Sequence, residues 1–130
     1  MKIMVCYDGS NGSRIALDLS IKYAHAFKAK LHLVASMEKG TEDEQKVIQQ
    51  LEADLKNGKD KLTNEGIDCE TRLLVRGMTP DEDLASYARE KGIDEIVIGI
   101  RKRSKVSKLF FGSTAQYLIL NAHCPVVTVK

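Results

Sequence analysis

The feature that most restricts this 130-residue chain is a regular alternation of short apolar runs with longer segments of helical periodicity. Residues 2–7 form an apolar run ending in Asp8-Gly9-Ser10-Asn11-Gly12-Ser13, a strand leading into a loop. From Arg14 to Phe27 the apolar residues recur at helical spacing and leave room for a polar face. Residues 30–37 read as a second strand. Thr41-Glu42-Asp43-Glu44 has the form of a capping box, the Thr hydroxyl on the N3 amide and Glu44 reaching back. It predicts a helix to about Glu65 with Val47, Ile48, Leu51, Leu55 and Leu62 along one side. Gly58 shares that side. A glycine costs about 1 kcal/mol inside a helix, so it marks close approach to a neighbour or a local break. Gly66 ends the helix.

Cys69–Val75 reads as a third strand, and Thr79-Pro80 supplies an N-cap and an N1 proline for a helix closed by Gly92. Glu95–Ile100 is nearly continuously apolar, as a strand buried on both faces would be. Gly112-Ser113-Thr114 opens a helix to about Asn121, and Val126–Val129 is a last strand. This order predicts one α/β domain over residues 1–130. It is doubly wound, with a five-stranded parallel sheet (order 3-2-1-4-5), four helices and right-handed crossovers.

Composition narrows the class. The chain is 43% apolar and 29% charged, as expected of a folded globular protein rather than a disordered one. No window approaches 18 uncharged apolar residues, which argues against a membrane helix, and the N-terminus meets Asp8 too early for a signal peptide. Cys6, Cys69 and Cys124 are odd in number, far apart and without C-x-x-C spacing. They indicate neither a disulfide framework nor a zinc site, and they fit the reducing cytoplasm. His25, His32 and His123 lack metal-ligand spacing and read as structural.

In doubly wound sheets a ligand sits beyond the carboxyl ends of the strands, where strand order reverses. Here that point lies between the first and fourth strands, whose loops are residues 8–13 and 99–114. The second is glycine-bounded and basic. Residues 96–130 carry six cations and no carboxylate, which leaves the first 95 residues at −4 within a net charge of +2. A basic loop running into the helix start Gly112-Ser113-Thr114 has the character of an anion site. It is equally compatible with a solvated loop and an ordinary helix start. Neither G-x-x-x-x-G-K-[ST] nor G-x-G-x-x-G occurs, so Walker-type and dinucleotide readings lose support.

Val5-Cys6-Tyr7-Asp8-Gly9-Ser10 resembles the V-x-x-D-G-S opening of the universal stress protein family, and Gly99–Ser113 resembles its nucleotide motif G-x2-G-x9-G-[ST]. Pro80 before a helix, Asp94–Gly99 and Cys124-Pro125-Val126-Val127 also match, so the resemblance covers all 130 residues. It implies a Rossmann-like fold of the adenine nucleotide α-hydrolase-like kind, with ATP or AMP as ligand, with or without Mg²⁺. It further implies Asp8 at the ribose or adenosine end and the Ser36 backbone at adenine. Gly99 would lie beneath ribose and phosphates, with Gly112, Ser113 and Thr114 donating to the phosphates. The motif's second glycine falls on Lys102. A lysine there either obstructs ATP, if the position needs a positive φ, or adds a phosphate-facing charge.

The resulting expectation is an adenine-nucleotide-binding regulatory protein of the stress response. The alternative is a nucleotide-free, dimeric interaction module, for which Lys102 is the best argument. An enzyme reading reaches a slow ATPase at most, since no carboxylate beyond Asp8 is in view as a general base. The cations of Arg101–Lys108 lack interleaved aromatics and would give nucleic acid only electrostatic attraction. Val126–Val129, uncharged and guarded only by Lys130, would be an exposed edge strand. Family members pair this strand across a two-fold axis, so a homodimer is expected, alongside an unspecified protein partner.

Overall fold

The computed structural model describes residues 1–38, 44–100 and 112–130. Lys102, the rest of the Arg101–Lys108 cluster, Phe110-Phe111 and the capping residues Thr41–Asp43 lie outside the described residues. The elements are β1 (Lys2–Cys6), α1 (Asn11–Phe27), β2 (Lys30–Ser36), α2 (Glu44–Asn64), β3 (Cys69–Leu74), α3 (Pro80–Glu90), β4 (Glu95–Gly99), α4 (Ser113–Asn121) and β5 (Val126–Val129). All strand pairs are parallel and the order is β3-β2-β1-β4-β5, as the alternation predicts.

Alternate residues of each central strand face opposite layers. Ile3, Val5, Leu31, Leu33, Ala35 and Val97 pack with Ala16 and Leu17 of α1 and Leu55 and Leu62 of α2. Met4, Val34, Ile96 and Ile98 pack with Leu84 and Tyr87 of α3 and Ala115 and Leu118 of α4. Each fully buried aliphatic side chain contributes about 1.5–3 kcal/mol. The two layers therefore hold the strand ends firmly in register. Among the described residues no helix is long and apolar enough to cross a membrane.

Gly58 proves to be a close approach and not a break. A Cβ there would lie 2.8 Å from Cδ1 of Leu33 and 3.2 Å from Cε2 of Tyr7, and α2 runs through it without interruption. Two local expectations need correction. Residues 11–13 are not loop but the first turn of α1, because Ser10 acts as N-cap and its hydroxyl oxygen accepts the Ser13 amide at 3.3 Å. Thr79 does occupy the N-cap position of α3, yet its side chain makes no capping bond. Its hydroxyl donates to Asp81, whose carboxylate already takes the Glu82 amide at 2.8 Å.

Candidate functional site

The carboxyl ends of β1, β2 and β4 open onto a cavity of about 380 Å³, within the usual range for small-molecule sites. Asp8, Ser36, Gly99, Gly112, Ser113 and Thr114 all line it. The fold thus gathers six of the seven positions singled out from sequence, the seventh being Lys102.

One end of the cavity is built from two helix starts. On the first, Gly9 turns the chain with φ +80°, and the Asp8 carboxylate accepts the Ser10 amide at 3.0 Å. The Ser13 hydroxyl donates to the Ser10 carbonyl at 2.9 Å, returning the cap made by Ser10. Gly12 and Ser13 then line the cavity within the first turn of α1. On the second, Gly112 is the N-cap of α4 with no side-chain capping bond, and the first helical hydrogen bond is Gln116 N–H to the Gly112 carbonyl at 3.1 Å. The amides of Ser113, Thr114 and Ala115 therefore have no acceptor within the helix. Two positive helix ends, hydroxyls and these first-turn amides make this the anion end.

The other end is apolar. Val34 and Ala35 of β2, Pro80 and Leu84 of α3 and Ile98 of β4 line it, with Ser36 among them. The start of α3 competes for no anion, because its first turn carries Asp81, Glu82 and Asp83 of its own. Sequence reasoning missed the α3 wall. The available signal was Pro80 itself: β3 is parallel to its neighbours, so the helix start that follows it must arrive at the same edge.

Gly99 lines the cavity and also lies against a helix start. A Cβ on it would fall 2.1 Å from the carbonyl oxygen of Gly12 and 2.4 Å from the Gly12 carbonyl carbon. The close approach is made by the chain's own backbone at the start of α1. Cys6 also borders the cavity, and burial, with the nearby Asp8 charge second, pushes its thiol up to about 12. It stays protonated and is no nucleophile at neutral pH.

The whole chain, residues 1–130, matches the universal stress protein family. It belongs to that family. A universal stress protein of Thermus aquaticus is 30% identical over 134 residues, covering 98% of this chain and 97% of its own length. The structure of a universal stress protein from Archaeoglobus fulgidus superposes with a TM-score of 0.87 at 33% identity, covering 100% of this chain and 93% of that one. A structure of the universal stress protein from the same organism in complex with dAMP gives a TM-score of 0.81 at 30% identity, with coverages of 99% and 96%. As a universal stress protein, this chain pairs the family's sheet with a cavity at the sheet's switch point.

Proposed function

We propose that this protein binds an adenine nucleotide, AMP or ATP, and serves as a nucleotide-responsive regulator in the cytoplasmic stress response. The observation that carries the reading is the polarity of the cavity, with helix-start amides that have no acceptor within the helix at one end and an apolar slot at the other. A phosphate suits the first and a base the second. The dAMP held by the 30% identical Archaeoglobus relative supports the same choice. In this reading Gly112, Ser113 and Thr114 donate to phosphate, Asp8 reaches the ribose, Gly99 underlies the sugar and Ser36 stands at the base. Lys102 adds charge to the phosphate end, and any Mg²⁺ would be held by Asp8 and nucleotide oxygens.

Among the described residues that line the cavity Asp8 is the only carboxylate, which supports holding a nucleotide over hydrolysing it. The three free cysteines suit a reducing compartment. β5 pairs with β4 on one side and ends the sheet order on the other, with its four residues half-buried, which supports a homodimer through Val126–Val129. The second reading, a nucleotide-free dimeric module, rests on Lys102 at the motif's second glycine. Mass spectrometry of small molecules released from natively purified protein, followed by calorimetric titration with AMP and ATP, decides between them. Stoichiometric adenine nucleotide or a saturable isotherm is expected. Folded protein with neither would leave the second reading standing.

A further inference from the structure

Behind the apolar end of the cavity stands an ion pair that the proposed function leaves unused. The Arg76 Nε donates to Asp83 Oδ1 at 2.5 Å and its Nη2 to the Asp83 carbonyl at 3.3 Å, while Nη1 reaches both carboxylate oxygens of Glu90 at 3.3 and 3.0 Å. Asp83 is fully buried, at 0% exposure, although its sequence neighbours Asp81 and Glu82 read as the ordinary acidic first turn of a helix. Its second oxygen, Oδ2, lies 3.4 Å from Ser36 Oγ. A carboxylate accepts and does not donate, so in this contact the Ser36 hydroxyl is the donor and Asp83 the acceptor. What Ser36 then offers the cavity is lone pairs alone.

We infer that Asp83, acting through Ser36, makes this site select bases that present an amino group and reject those that present an oxo group at the same edge. The inference rests on the nucleotide-binding reading and names what sets its specificity. A 6-amino purine donates to Ser36 Oγ. A 6-oxo purine brings lone pairs against lone pairs, and two acceptors are left unpaired wherever the base excludes water between them, which costs affinity. Ser36 is the specificity residue. Asp83 is a positioning residue, fixed in turn by Arg76.

The test compares AMP with IMP, which differ at this position, by titration calorimetry on the full chain. The unsubstituted protein is expected to bind AMP at least about tenfold more tightly than IMP. Ser36→Ala should weaken AMP by about three- to tenfold and strengthen IMP, because the opposing lone pairs leave with the hydroxyl, which collapses the ratio. Asp83→Asn supplies an amide that donates to Ser36 Oγ and frees the hydroxyl proton for the cavity, so IMP should gain while AMP loses. Circular dichroism and a thermal melt verify its fold. If it does not fold, the Ser36→Ala ratio decides alone. Equal affinity of the unsubstituted protein for AMP and IMP, or an unchanged ratio in Ser36→Ala, overturns the inference and leaves nucleotide binding intact. Folded protein that binds neither AMP, IMP nor ATP overturns both.

Discussion

Gly99, the last residue of β4, lies so close to Gly12 in the first turn of α1 that a Cβ on Gly99 would sit 2.1 Å from the Gly12 carbonyl oxygen. This glycine–glycine crossing brings a helix start against the sheet's switch point. It is the contact that lets α1 contribute to the anion end of the cavity.

Gly99→Ala must therefore push α1 away from β4, since a backbone carbonyl has no rotamer with which to yield. The expected loss is about 3 kcal/mol, at the upper end of overpacking costs. Gly112→Ala is the control. Its φ of −57° is open to any residue and a Cβ there meets nothing within 4 Å among the described residues, so it should lose no more than about 1 kcal/mol of capping preference. Urea unfolding of both variants measures the difference, and equal losses would refute the crossing.

The anion end makes a prediction for binding. Ser113→Ala removes a hydroxyl at the start of α4, where a hydrogen bond to a charged group is worth about 1.5–3 kcal/mol. AMP affinity should fall about tenfold while adenosine affinity holds. Lys102→Ala should weaken AMP and flatten its salt dependence. Calorimetry with AMP and adenosine at two salt concentrations checks both. Parallel losses for the two ligands would move the phosphate away from α4.

His32 predicts an acid-sensitive fold. It is only 2% exposed on β2, its Nδ1 is 3.0 Å from the Tyr87 hydroxyl, and its Nε2 has no hydrogen-bond partner among the described residues. Burial lowers its pKa below the ordinary 6.5 and outweighs the upward pull of Glu70, while Lys30, Lys2 and Lys91 add to the lowering. The unfolded chain therefore takes up the proton first. Stability should drop as pH falls below about 6.5, by at most about 1.4 kcal/mol per pH unit, until the folded imidazole itself protonates. Urea unfolding at pH 7, 6 and 5 should show this slope reduced in His32→Gln. Identical slopes would assign the acid sensitivity to other groups.

The sheet edge predicts assembly. β5 exposes one side of a four-residue, uncharged strand. Sedimentation at tens of micromolar should give the mass of two 14.5 kDa chains, and Val127→Lys should halve it by placing a charge on the pairing strand. A monomer before substitution, or a dimer after it, would remove β5 from the interface.

The layout of strands and helices was legible because periodicity, caps and breakers act locally. The apolar run of Glu95–Ile100 could be satisfied only in a strand covered on both faces, and Gly66 and Gly92 marked stops that adopt φ of 72° and 63°. Right-handed crossovers then left few topologies, and the observed sheet order is one of them. The loops that leave β1 and β4 likewise fall at one edge by chain connectivity alone.

Pairwise matters between distant residues were not legible. Gly99 reads in sequence as a ligand-facing glycine, and only packing shows that it also lies against Gly12, 87 residues earlier in the chain. Asp83 looks like one of three equivalent helix-start acids. Tertiary structure alone turned it inward, because Arg76 and Ser36 were there to satisfy a buried carboxylate that would otherwise be expelled to water. The sequence by itself determined the elements, their order and the edge at which the site lies, since each follows from local propensity and chain connectivity. Which side chains share a proton, and which backbone needs the space beside Gly99, depend on contacts across the chain that no local pattern encodes.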